Sequence, residues 1–270
     1  MPKVQRLLSY RWRVPSSGFR VVADDGTELG GSRIGDRSSH RPAIVWCHGL
    51  MGWHRKPKIA RFGAHLSARY TVYLPDLRGH GDSGGVCSYG VEEIEDVQAV
   101  VRLARSEGHE RVATAGVSMG AISVVRHAGL VGGVDAVAAI SCLAQWGPHD
   151  DTPVRAAAWR RLRGFTETPK GRAMMATYGV RLPASWAEAE PPEDVVHKIA
   201  PTPILLVHGR DDHLFPPSQA LRLFERAQEP KRLILAEPFG HAEDGLTPVL
   251  ARIVREFDQR WDRTPNEGTG

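Results

Sequence analysis

The chain has 270 residues, of which 41% are apolar and 24% charged, and a formal net charge of +4. That balance is ordinary for a folded domain. It excludes wholesale disorder, a collagen-like repeat and a chain too short to bury a core, and the length fits one large α/β domain with an insertion. No apolar run approaches the roughly 18 residues a transmembrane helix requires, so no membrane span is expected. The first twenty residues are basic but lack a continuous apolar stretch, so no signal peptide is expected and the cytoplasm is the expected location. The positive excess sits at the front, where residues 1–41 hold eight Lys and Arg against four Asp and Glu. Cations such as Arg11, Arg13 and Arg20 are scattered singles rather than a dense stripe, so nucleic acid is not an expected partner. Cys47, Cys87 and Cys142 are odd in number and contain no C-x-x-C, which argues against a disulfide framework or a zinc site; all three are expected reduced and structural, with no metal bound.

Short β-branched runs alternate with longer amphipathic stretches, the pattern of a mostly parallel sheet covered by helices. A hairpin is expected first: Phe19–Ala23, a turn at Asp24-Asp25-Gly26, then Thr27–Ile34. Further strands are expected at Ala43–Cys47, Thr71–Leu74, Arg111–Val117, Asp135–Ser141, Pro203–Val207 and Arg232–Ala236. In Val91–Glu107, the residues Val91, Ile94, Val97, Val101 and Ala104 share one helical face, with Glu92 and Glu93 in the first turn where the dipole favours anions. A closing helix is expected from Thr247, an N-cap followed by Pro248 at N1, to Trp261. The tail after Trp261 reads as frayed. One segment breaks the rhythm: about sixty residues between Ser141 and Pro203 show no obvious strand, as a helical insertion over the sheet would.

Gly116-Val117-Ser118-Met119-Gly120 follows a strand-like run and precedes a helical one. A sharp strand–turn–helix with glycine on both sides points the serine hydroxyl out of the C-terminal edge of the sheet. A serine hydroxyl is a poor nucleophile near neutral pH and needs a base within hydrogen-bond reach and an acid to orient that base. His241, in the loop between the last strand and the last helix, is the candidate base. The acid belongs at the end of Pro203–Val207, where His208-Gly209-x-x-Asp212-x-x-x-Pro216 favours Asp212 over its neighbour Asp211. The developing oxyanion needs preorganised donors. The backbone N–H of Met119 is one candidate; that of Leu50, in the loop Cys47–Trp53, is the other. His48 reads as a structural residue of that loop.

His48-Gly49-Leu50, the run Asp76-Leu-Arg-Gly79-His80-Gly81-Asp-Ser83, Gly116-x-Ser118-x-Gly120, His208-Gly209-x-x-Asp212 and Gly240-His241 together resemble the α/β-hydrolase superfamily, in its order and spacing over residues 19–261. The Asp76–Gly85 stretch is similar to the serine-aminopeptidase, monoacylglycerol-lipase and cinnamoyl-esterase-like branches, in which it forms a tight structural turn; Asp76 and His80 therefore receive no catalytic role. The resemblance implies an α/β-hydrolase fold with an eight-stranded, mostly parallel sheet whose second strand is antiparallel. The core would span 1–142 and 201–261, with a helical lid at 143–200 and a flexible tail at 262–270. It implies a serine hydrolase acting on the carboxylic ester of a small acyl substrate through Ser118, His241 and Asp212, with no cofactor. Thioesterase, lactonase, small-peptide peptidase and non-enzymatic ligand receptor are the alternatives. Trp146, Trp159 and Trp186 of the lid are candidate substrate contacts, though they could equally pack within the lid itself.

Overall fold

The computed structural model describes residues 3–35, 41–146, 153–185 and 189–245. The expected closing helix at 247–261, the tail, Trp186 and the side chain of Trp159 lie outside the described residues.

In chain order the elements are α1 (Lys3–Leu8), β1 (Ser16–Val22), β2 (Glu28–Ile34), β3 (Ala43–Cys47), α2 (Pro57–Leu66), β4 (Thr71–Pro75), α3 (Glu93–Ser106) and β5 (Val112–Val117). They continue as α4 (Met119–Leu130), β6 (Ala136–Ile140), α5 (Pro153–Glu167), α6 (Pro169–Thr177), α7 (Pro192–Val195), β7 (Ile204–Gly209), α8 (Ser218–Arg226) and β8 (Lys231–Ala236). The eight strands form one sheet in the order β1-β2-β4-β3-β5-β6-β7-β8. Only β2 runs against its neighbours, pairing antiparallel with both β1 and β4. The strands β3 to β6 are almost wholly apolar because helices cover both faces and every residue in them is buried. One apolar cluster joins the sheet to α3 and α4, and a second joins it to Ile59, Phe62 and Leu66 of α2. On the solvent-facing edge, β1 alternates exposed and half-buried residues as a one-sided strand should.

The chain leaves β3 for β4 on one side and then returns to β5 on the other, so the winding direction reverses between β3 and β5. At such a reversal the loops after two adjacent parallel strands diverge and leave a crevice beyond their carboxyl ends. Cys47 lies in register with Gly116 there, which brings the Cys47–Trp53 loop beside the turn carrying Ser118.

One expectation meets a different packing. The apolar stripe assigned to Val91–Glu107 is interrupted by two fully buried carboxylates, Glu93 and Asp96. Glu93 accepts from the N–H of Ser88 at 2.8 Å and of Gly90 at 2.7 Å, while Asp96 takes the N–H and the guanidinium of Arg78 at 2.6 and 2.8 Å. Burial is tolerated because each carboxyl group is hydrogen-bonded. The region between β6 and β7 carries α5, α6 and α7 and is tied to the rest of the fold at two places. Val180 bridges to His80 and Arg181 exchanges backbone hydrogen bonds with Gly79 and Cys87 at 2.8 and 2.9 Å, which pins its middle to the turn after β4. Its end, Val195, Val196 and Ile199, is buried, with Val195 close enough to α4 that a side chain at Gly129 would meet its carbonyl at 2.5 Å.

Candidate active site

The turn after β5 is built by steric necessity. Ser118 has φ 52° and ψ −118°, a conformation unfavourable for a residue with a Cβ, and its N–H donates to Ile140 O at 2.9 Å. Such strain persists because the strand behind it and α4 ahead of it over-determine the path. A Cβ at Gly116 would lie 2.3 Å from Gly120 O, and one at Gly120 would lie 2.3 Å from Cys47 O, so both flanking positions require glycine. The result leaves Ser118 half-buried at the head of α4 with its side chain free to face the crevice.

The structure brings Ser118, His241 and Asp212 together from three separate loops. Ser118 Oγ lies 3.0 Å from His241 Nε2, and His241 Nδ1 lies 2.8 Å from Asp212 Oδ2. This geometry has the Ser118 hydroxyl donating to Nε2 and the Nδ1–H donating to the carboxylate. Asp212 is fully buried, while Asp211 beside it is exposed. The other Asp212 oxygen accepts the N–H groups of Leu214 and Phe215 at 2.9 and 2.8 Å. Burial alone would raise this carboxyl, but hydrogen bonds from His208 and His241 and from the Phe215 N–H outweigh it and hold the group below the usual carboxylate range. The ring of Phe215 stands edge-on to that of His241 at 4.9 Å, fixing the imidazole plane.

One residue of this constellation gave no signal in the sequence. Ser141, fully buried just past β6, accepts the N–H of Ala242 at 3.0 Å through its Oγ. Ala242 follows His241 directly and has φ 50°, so the bond anchors a strained backbone next to the imidazole. A single serine after a strand is too common a feature to single out without the fold.

The loop after β3 supplies the opposite wall. Gly52 N–H closes a turn onto Gly49 O at 2.9 Å with Met51 at φ 66°. His48 shapes that loop from behind: its Nδ1–H donates to Gly49 O at 2.8 Å and its Nε2 accepts the N–H of Leu77 at 3.1 Å. Asp76 is likewise consumed by structure, accepting from His54 N and Nδ1 at 2.6 and 2.9 Å and from Asp82 N at 2.7 Å. Leu50, Met51, Tyr89, Ser118, Met119, Ile122, Trp146, Leu214, Phe215 and His241 surround a cleft of about 290 Å³, a small volume for a ligand pocket. Its rim is held by ion pairs from Lys56 to Glu243 at 3.0 Å and from Lys58 to Asp244 at 2.8 Å. Of the three candidate tryptophans, Trp146 stands in the cleft wall with its Nε1–H donating to Ala189 O at 2.5 Å.

Three buried imidazoles around this frame predict acid lability. Burial depresses His48 to about 3, with His80 adding to it, and burial depresses His80 and His127 each to about 4. A folded pKa below the unfolded value of about 6.5 means that the unfolded chain takes up more protons, so stability is complete above that value and falls as pH drops through the window beneath it. At pH 5 each imidazole forfeits about 2 kcal/mol. Asp96, whose carboxyl burial holds up to about 7 against Arg78, works in the opposite direction over the same window but is one group against three. Unfolding in urea should therefore show a net loss of about 2–4 kcal/mol between pH 7.5 and pH 5; an unchanged midpoint would mean these imidazoles are protonated in the fold.

Comparison with known proteins agrees with this frame. The model of the alpha/beta hydrolase family matches residues 44–251. Protein YqkD of Bacillus subtilis (strain 168) is 28% identical over 236 residues, covering 85% of this chain and 74% of that protein. Protein YfhR of Escherichia coli (strain K12) is 26% identical over 259 residues, covering 91% of this chain and 79% of its own. Among solved structures, the Pyrococcus furiosus esterase Pf2001 superposes with a TM-score of 0.69 at 20% identity, over 93% of this chain and 91% of its own. Esterase RhEst1 from Rhodococcus sp. ECU1013 gives 0.67 at 18% identity, over 92% and 99%. The strand order, the strained serine turn at the reversal point and a family match over most of the sequence coincide on one frame: this chain belongs to the alpha/beta hydrolase family.

Proposed function

We propose that the protein is a serine hydrolase that cleaves small carboxylic esters through an acyl-enzyme intermediate. The observation that carries this reading is the Ser118–His241–Asp212 chain of hydrogen bonds, 3.0 and 2.8 Å long, at the wall of an apolar cleft. His241 Nε2 takes the proton as Ser118 Oγ attacks the acyl carbon, and Asp212 keeps the imidazole in the tautomer that leaves Nε2 free to accept. The oxyanion is received by the N–H groups of Leu50 and Met119. The latter opens α4, where a helix has no acceptor of its own for its first amides. His241 then returns the proton to the departing alkoxide, and water repeats the sequence on the acyl group. The fluorophosphonate test is direct: a probe adduct should map by mass spectrometry to Ser118, and a panel of ester, thioester and aminoacyl-amide substrates should be turned over most efficiently as esters. An adduct on another serine, or amides preferred over esters, would overturn the assignment.

Two further expectations follow from the same site. Ser141→Ala removes the acceptor of a buried N–H beside His241, and such a group left unsatisfied costs about 1–3 kcal/mol. Turnover should fall about ten-fold or more through loss of His241 alignment, with KM little changed; equal losses in both would mark a general unfolding effect. Trp146→Ala should change the ratio of catalytic efficiencies for short and long acyl esters by about ten-fold, since one methylene of fit is worth about 1–3 kcal/mol. A ratio unchanged in a folded variant would place acyl selectivity elsewhere in the cleft.

A further inference from the structure

The amino-terminal segment carries an apolar face turned outward. In α1, Val4, Leu7 and Leu8 are spaced i, i+3, i+4 and so share one side of the helix, yet they are 44%, 77% and 57% exposed. The inward position is polar: Gln5 is buried and its Nε2 donates to Tyr178 O at 2.6 Å, at the end of α6. That neighbouring surface is apolar as well, with Met174 and Tyr178 each nearly half exposed. Single exposed leucines are unremarkable, but here five large apolar side chains stand exposed on two segments joined by that hydrogen bond, more apolar surface than water alone favours.

Within the two sequence segments that carry these side chains the charged residues are cations. Residues 3–23 contain Lys3, Arg6, Arg11, Arg13 and Arg20 and no carboxylate, and residues 168–185 contain Lys170, Arg172 and Arg181 and no carboxylate. Arg6, Arg11, Arg13 and Lys170 are exposed. An apolar stripe whose own segments carry exposed cations fits an anionic lipid surface, where hydrocarbon receives the side chains and headgroups receive the charges. The segment is also fastened to the loop that walls the cleft: Tyr10 N–H donates to Arg55 O at 2.8 Å and Trp53 Nε1–H to Ser9 Oγ at 3.2 Å.

We infer that α1 and the end of α6 form a docking surface for an anionic phospholipid membrane, on which the protein sits peripherally beside its cleft. No helix among the described residues is long and apolar enough to cross a membrane, so the association is with the surface. The inference stands on exposure and charge and does not depend on the esterase reading.

Flotation of the full chain with large unilamellar vesicles tests it. With phosphatidylcholine containing about 30 mol % phosphatidylglycerol, bound protein should exceed that on pure phosphatidylcholine by about ten-fold or more, and about 0.5 M salt should release most of it. Leu7→Glu/Leu8→Glu and, separately, Arg11→Glu/Arg13→Glu should each abolish flotation while keeping the thermal midpoint and the fluorophosphonate reaction of the parent. No flotation with anionic vesicles, equal binding to both lipids, or retention by the Leu7→Glu/Leu8→Glu variant would overturn the inference. So would a dimer in gel filtration that this variant disperses, because the patch would then be covered by a second copy. Loss of fluorophosphonate reactivity in wild type would bear on the esterase reading alone.

Discussion

Ser118→Ala is expected to lower ester turnover by about 10⁶, nearly as much as removing the whole hydrogen-bonded unit, because the nucleophile and its base act only together. The residue lies 3.0 Å from His241 Nε2, and no other side chain can substitute from the same strained turn. The variant should fold normally. Alanine adopts φ 52° no less readily than serine, and the backbone bond from residue 118 to Ile140 O does not involve the hydroxyl. Binding of a slowly hydrolysed ester should therefore survive while single-turnover acylation disappears. A Ser118→Ala enzyme retaining more than about 1% of the parent rate would require a different nucleophile, since an intact oxyanion site alone leaves only a residual of about 10³–10⁴ over water.

Asp212→Asn is expected to reduce turnover by about 10⁴, the effect of presenting His241 with an amide that can reverse its tautomer. The loss arises at one atom, Asp212 Oδ2, which faces Nδ1 at 2.8 Å. The other oxygen can go on accepting from Leu214 and Phe215, so the loop should keep its shape and the thermal midpoint should move far less than the rate. Asp211→Asn is the control. Asp211 is exposed and contributes its backbone N–H to Phe239 O at 3.2 Å, which substitution leaves intact. Its rate should stay near that of the parent. The ratio of the two rates is the decisive measurement, and a ratio near one would remove Asp212 from the proposed mechanism.

The strands were legible in the residues themselves. Runs such as Ala43–Cys47 and Ile204–Val207 are apolar throughout because both faces are covered, and the glycines at 116 and 120 announce a turn that no larger side chain could occupy. The meeting of Ser118, Asp212 and His241 at one sheet edge was legible too, since each follows a strand end at a spacing set by the local turn. Periodicity and spacing are properties of neighbours along the chain, and they carry information wherever structure is local. What depended on partners distant in sequence had no such trace. Asp96 carried no mark of burial in its helical stretch, and only Arg78, folded against it from the turn after β4, made that burial possible. Ser141 became a support for His241 only when β6 and the loop after β8, about a hundred residues apart, were brought side by side. The apolar stripe of α1 would ordinarily be assigned to a core. Tertiary packing instead buried Gln5 against Tyr178 and left Leu7 and Leu8 outside, because a helix of under two turns can satisfy only one face and the hydrogen bond from Gln5 to the Tyr178 carbonyl chose which.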